Sequence, residues 1–200
     1  MSYLTFERLP AELKDQAIYR EIAAKQMLVQ QGETTDSIYF LLSGQIRLVT
    51  FTEEQMINHY FVLTGESFGE IALFSETYAC SAIADIPSRI AAIDKELFRQ
   101  ALEDDSTLAT VYMNQLTYRY KTVKTLLELR SIRSARERLL QYLTRQKEPN
   151  NHTVVLQRPL KDLAIELGLS AEALYRNLSR LQSEGVITRK QRSITLNEDW

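Results

Sequence analysis

Glu172 and Arg176 stand four residues apart, so on a helix they share one face. A glutamate there can accept a hydrogen bond from cytosine N4, and an arginine can donate two to guanine O6 and N7. Ala171, next to Glu172, can touch a thymine methyl. Downstream, Arg189, Lys190 and Arg192 form a short basic run. Such residues suit phosphate oxygens, which give affinity but little choice of sequence. Ser170 and Arg180, within the same segment as Glu172, are further candidates for phosphate contact. Together these residue types fit the reading of base edges in double-stranded DNA, supported by backbone contacts.

Side chains of this kind work only if a helix presents them. Leu163, Ala164 and Leu167 give a first helix its apolar stripe, and Gly168 sits where two helices meet at a steep angle. Ser170 is a natural N-cap for the second helix. Leu174, Leu178 and Leu181, at i, i+4 and i+7, turn inward and leave Glu172 and Arg176 on another face. Gly185 ends that helix. Val186–Thr188 and Ser193–Leu196 are expected to pair across Arg189-Lys190-Gln191-Arg192. From Arg158 to Leu196 the chain reads as a winged helix-turn-helix. The plainer alternative is a small helical core carrying an exposed Glu–Arg pair.

The whole chain has 200 residues, 44% of them hydrophobic, and a net charge of −2. That suits one or two domains with a real core. The small net charge hides an asymmetry: residues 1–118 hold 8 Lys+Arg against 17 Asp+Glu, and residues 119–200 hold 16 against 9. An acidic first part and a basic last part suit a sensor joined to a nucleic-acid binder. A single cysteine excludes an internal disulfide and a multi-cysteine metal cluster. No apolar run approaches the ~20 residues of a membrane span, and MSYLTFERLP lacks a signal-peptide pattern. The expected compartment is the cytoplasm, with no membrane partner. A Walker loop, HExxH and nucleophile motifs are all missing, which argues against an enzyme.

Residues 3–22 carry mixed apolar and charged positions and predict short helices. From about 25 to 95, short β-rich runs alternate with glycines: Met27–Val29, Ile38–Leu42, Ile46–Phe51, Asn58–Leu63, Ser81–Ala84 and Ile90–Ile93. Ile38, Phe40 and Leu42 alternate with Tyr39 and Leu41, as a strand with two distinct faces requires. This spacing favours a β-barrel or jelly roll. Lys95–Ala101 predicts a helix. Ser106–Arg130, without proline or glycine, predicts a long one whose three-four stripe is interrupted at Arg119 or Tyr120. One side can pack on the barrel while Leu116, Tyr120, Val123 and Leu127 meet a second copy. Ser134–Gln146 starts a further helix with Arg136, Arg138 and Arg145 on its basic side, and residues 148–152 read as a turn. The expected domains are a sensor barrel over 1–105, a dimerisation helix over 106–131 and a DNA-binding domain over 132–200, an α+β architecture.

This order resembles the catabolite activator (Crp/Fnr) superfamily of transcription regulators. The resemblance covers nearly the whole chain. It is carried by GETTDSIYFLLSGQIRL (32–48), GESFGEIALF (65–74), SARERLLQYL (134–143) and the winged helix, in which Ala171-Glu172-x-x-x-Arg176 matches the family's recognition motif at the glutamate and the last arginine. It implies a homodimer on a roughly palindromic site, double-stranded DNA as partner, RNA polymerase as a second partner, and a small-molecule effector in the barrel. In cyclic-nucleotide-binding members a short helix, here Gly69-Glu70-Ile71-Ala72, cradles phosphate. The glutamate, Glu70, takes a ribose hydroxyl, and an arginine followed by a serine pairs with the cyclic phosphate. Here those last positions are Cys80 and Ser81, and Thr122 stands where the long helix meets the base. A neutral thiol cannot replace a guanidinium fork on an anion, which speaks against tight cyclic AMP binding. The iron–sulfur cluster of other members needs several cysteines, so none is expected. Cys80 reads as a small core residue. A competing reading of the whole chain is a small-molecule-binding module that signals through protein contacts instead of DNA.

Overall fold

A computed structural model describes residues 4–147, 151–156 and 159–197. They fall into two compact units, divided between Arg119 and Tyr120 inside one long helix.

In the first unit a 3-10 turn (Phe6–Arg8) and α1 (Ala11–Asp15) lead into eight strands: β1 (Ile18–Ile22), β2 (Met27–Val29), β3 (Ser37–Ser43), β4 (Gln45–Phe51), β5 (Met56–Leu63), β6 (Ser67–Phe68), β7 (Ser81–Ala84) and β8 (Ser88–Asp94). A second 3-10 turn, Glu70–Leu73, follows β6. The strands form two antiparallel four-stranded sheets, β1-β8-β3-β6 and β2-β7-β4-β5, the jelly roll that the strand spacing predicts. Then come α2 (Lys95–Asp104), started by the Asp94 carboxylate accepting from the Glu96 and Leu97 amides, and α3 (Ser106–Ser131), of which this unit holds the first part. The strand β1 differs from the short helices expected through residue 22. Only the five-residue partnership with β8, Ile18 opposite Ala92 through Ile22 opposite Ser88, decides it. A run so short carries no usable period of its own.

β3 organises the packing. Tyr39 and Leu41 face the space between the sheets with Ile46, Val62, Phe68 and Ile90. Ile38 and Phe40 face the other way, onto Leu13, Phe98, Leu108 and Tyr112. Burial on both faces is why this strand is an unbroken apolar run. Each such side chain, fully buried, contributes about 1.5–3 kcal/mol. Tyr112 is an exception to clean packing: its ring sits edge-on to Phe98 at 5.3 Å, yet its buried hydroxyl has no partner among the described residues. Tyr112→Phe removes that orphan and is expected to raise stability by about 1–2 kcal/mol in urea unfolding. A loss of stability would reveal a bond to the hydroxyl.

The second unit holds the rest of α3, then α4 (Ala135–Gln146), β9 (Thr153–Val155), α5 (Leu160–Glu166), α6 (Ala171–Ser183), β10 (Ile187–Lys190) and β11 (Ser193–Leu196). Leucines from α3 (126, 129), α4 (139, 140, 143), α5 (163) and α6 (174, 178, 181), with Leu167 from the turn between α5 and α6, share one core with Ile187, Ile194 and Leu196. The wing sheet has the order β10-β11-β9. Its hairpin differs from expectation: Arg189 and Lys190 belong to the strand, opposite Ile194 and Ser193, and only Gln191 and Arg192 turn. Gln191 takes φ 52°, a left-handed conformation that the tight turn imposes on a non-glycine residue. β9 lies just past the expected turn at 148–152, of which residues 148–150 lie outside the described residues. All six glycines have positive φ, as turns of this kind need.

Candidate nucleic-acid interface and sensor pocket

The Ser170 hydroxyl accepts from the Ala173 amide at 3.0 Å and so starts α6 as an N-cap. Leu174, Leu178 and Leu181 anchor the helix inward. The opposite stripe of Ala171, Glu172, Tyr175, Arg176 and Ser179 is exposed. Arg176 pairs with Glu172 at 3.2 Å, both largely in solvent. An exposed i,i+4 pair is worth only about 0.3–0.5 kcal/mol, so either partner is easily redirected to a base. Asn177 is half-buried and donates to the Ala173 carbonyl at 2.7 Å. Bonding back one turn lets a polar side chain sit there.

Two arginines hold this helix pair in place. Arg130 donates to the Glu166 and Ile165 carbonyls at 3.0 and 3.2 Å. Arg138 donates to the Leu167 and Gly168 carbonyls at 2.8 and 3.2 Å, and also to Ile132 O. Together they satisfy the C-terminal carbonyls of α5, where a cation is also favoured by the helix dipole. Gly168, with φ 64°, makes that turn. The basic side expected on α4 is therefore largely structural. Arg136 grips Glu184 through Nε and Nη2 at 3.2 and 2.8 Å, and Arg145 meets Glu128 at 2.9 Å. Arg180 also bonds Glu184, at 2.7 Å. The two guanidiniums hold the Glu184 carboxyl below the usual carboxylate range. A phosphate contact by Arg180 would thus be made by a side chain already paired within its own helix end.

In the wing, Lys190 and Arg192 are exposed, and the Arg189 guanidinium lies 5.9 Å from the centre of the Tyr175 ring. This cation–π contact ties wing to recognition helix. Helical spacing alone does not bring Tyr175 together with a wing residue fourteen positions away.

In the first unit a cavity of about 70 Å³ opens between the sheets and the 3-10 turn. Gly69, Glu70, Ile71 and Cys80 line it, with Val29, Tyr39 and Leu48 among its other walls. Ala72 and Ser81 lie beside it instead. Ala72 is buried in the inter-sheet core, and the Ser81 hydroxyl accepts from the Gln31 amide at 2.9 Å, closing a barrel turn. Thr122 belongs to the second unit. Burial pushes the Cys80 thiol up, away from the reactive thiolate.

Glu70 is engaged. It accepts from the Ser67 hydroxyl at 3.0 Å and forms an ion pair with Arg119, whose guanidinium also donates to the Ser67 carbonyl and lies over the Tyr60 ring. Gln115, one turn earlier on α3, donates to the Ser67 hydroxyl at 2.9 Å and accepts from the Leu4 amide at 2.8 Å. Arg119 had looked like a break in an apolar stripe. Its partner lies 49 positions away, beyond what helical spacing can show.

Along α3, Met113, Leu116, Tyr120, Val123 and Leu127 follow a three-four alternation, and all are exposed. Tyr120 fills the slot that had seemed interrupted, at 72% exposure, while Arg119 turns to Glu70. The run of exposed apolar side chains along the helix therefore has no gap at this slot.

Residues 19–105 match the cyclic nucleotide-binding domain, and residues 137–198 match the Crp-like helix-turn-helix domain. Among curated relatives, the chain is 25% identical to the cAMP-activated global transcriptional regulator CRP of Pasteurella multocida, over 86% of this chain and 87% of that one. It is 26% identical to the regulatory protein HlyX of Actinobacillus pleuropneumoniae, covering 89% and 77%. A solved structure of a CooA variant from Carboxydothermus hydrogenoformans shares the fold at a TM-score of 0.75 and 17% identity, over 94% of this chain and 87% of that one. A cyclic nucleotide-binding jelly roll followed by a long helix and a Crp-like helix-turn-helix makes this chain a member of the Crp/Fnr family of transcription regulators.

Proposed function

We propose that this protein is a homodimeric, sequence-specific regulator that binds a roughly palindromic DNA site in the cytoplasm. One observation carries the reading: a capped helix, clamped at its turn by Arg130 and Arg138, offers Glu172, Tyr175 and Arg176 to solvent as one stripe. Ala171, Glu172 and Arg176 read base edges. Ser170, Arg189, Lys190 and Arg192 meet phosphates, and Arg180 joins them at the cost of its bond to Glu184. Leu116, Tyr120, Val123 and Leu127 form the dimer seam, which sets half-sites about one helical turn apart. RNA polymerase is the further partner. Cyclic AMP is not the effector, because Cys80 stands at the phosphate position and Arg119 holds Glu70. The Gly69–Ala72 turn with Cys80, Ser81 and Thr122 serves another ligand or none, and DNA binding does not depend on a cyclic nucleotide.

Glu172→Ala is expected to relax base choice at one position of each half-site, costing about 1–3 kcal/mol there. Anisotropy titrations against single-base variants of the site measure it, and an unchanged preference would remove Glu172 from base reading. Arg189→Ala is expected to weaken binding to every sequence alike and to flatten the salt dependence, by about one unit of slope. An effect confined to one base pair would make Arg189 a base reader instead.

A further inference from the structure

The cavity behind the Glu70 turn differs in chemistry from an anion site. Its volume of about 70 Å³ is the space of about two to three water-sized groups. Pockets for drug-sized molecules run to roughly 300–1,000 Å³. Its walls are apolar: Val29, Leu48, Phe68, Ile71 and Ala82, with the Tyr39 ring stacked on Phe68 at 5.1 Å. The tyrosine hydroxyls are occupied. Tyr39 and Tyr78 bond each other at 3.1 Å, and Tyr78 donates to Asp36 at 3.1 Å. The one carboxylate on the wall, Glu70, is already neutralised by Arg119. Cys80 adds a neutral thiol. An anion entering here would meet no uncommitted cation on the lining, whereas a short apolar group gains its transfer free energy and leaves no polar group unpaired.

We infer that this pocket takes a neutral small molecule with a short aliphatic end, which enters between Ile71 and Cys80 and leaves any polar end at the open side. The inference rests on the sensor role proposed above for the first unit. Its test reads the pocket directly and is independent of DNA. The full-length protein, labelled at Val, Leu and Ile methyls, is titrated with butan-1-ol and separately with cyclic AMP. Butan-1-ol is expected to shift the methyls of Val29, Leu48 and Ile71 saturably and to leave Leu174 and Leu178 unmoved. Cyclic AMP is expected to shift none of them. Cys80→Phe, which fills the cavity from a partly exposed position, is expected to weaken the butan-1-ol response at least about tenfold. Ala79→Trp, at the exposed rim, is expected to do the same without touching the core. Saturable shifts with cyclic AMP, or no response of the three methyls to butan-1-ol, would overturn the inference. Duplex binding by the same samples is scored separately, so loss of the DNA reading and loss of the pocket reading give different results.

Discussion

Arg119→Ala is expected to lower the stability of the first unit by about 2–4 kcal/mol, because removing one partner strands the other in a largely desolvated place. The two side chains are 18% and 19% exposed, enough to soften the loss but not to erase it. The same guanidinium also satisfies the Ser67 carbonyl and packs over Tyr60, so the truncation opens more than one contact. Gln115 and Ser67 extend the linkage to the Leu4 amide, and so α3, the N-terminal segment and the Glu70 turn all depend on one polar chain. Urea unfolding followed by circular dichroism measures the loss. Glu70→Gln in the Arg119→Ala background is expected to restore at least half of it, since the stranded charge is then gone. Losses that simply add would show that the pair is not coupled.

The second large effect is expected at Arg138. Its guanidinium answers carbonyls at 132, 167 and 168, and no other residue type offers five donors in one plane. Arg138→Ala strips the side-chain donor from the Leu167 and Gly168 carbonyls and leaves Arg130 alone at the end of α5. The expected cost is about 2–4 kcal/mol of stability in the second unit, given about 1.5–3 kcal/mol for hydrogen bonds to charged groups. Arg138→Lys is expected to recover only part, as an ammonium cannot span the fork. DNA affinity is expected to fall for all sequences by the same factor, because the turn that aims α6 loosens while its base-reading side chains remain. A changed base preference would instead place Arg138 on the DNA.

Local signals were the legible ones. The Ser170 cap, the Gly168 turn and the Leu174-Leu178-Leu181 stripe each act within a few residues, and α6 follows from them. The strands β2 to β5, β7 and β8 were legible for the same reason, since alternation and flanking glycines are local. β1, β6 and β9 were not: β1 shows no inward–outward alternation, β6 has two residues and β9 three, and each is made a strand by a distant partner. The site divides along the same line. Glu172 and Arg176 declare their shared face through spacing alone. Arg119 reads from spacing as a break in an apolar stripe and Arg138 as part of a basic helix side, and only the fold shows that Arg119 binds Glu70 while Arg138, with Arg130, meets the carbonyls at the end of α5. The basic surplus of the second half is thus partly internal mortar, and the wing and recognition helix carry the part that faces outward.

The proposed function has this chain select DNA sequence without a cyclic nucleotide. The most direct measurement is selection of binding sites from a random duplex pool by the purified protein, at near-physiological salt and with no added small molecule. An enriched, roughly palindromic site with half-sites about one helical turn apart is expected. Salt-sensitive binding with no enriched sequence, restored to selectivity by cyclic AMP, would contradict it.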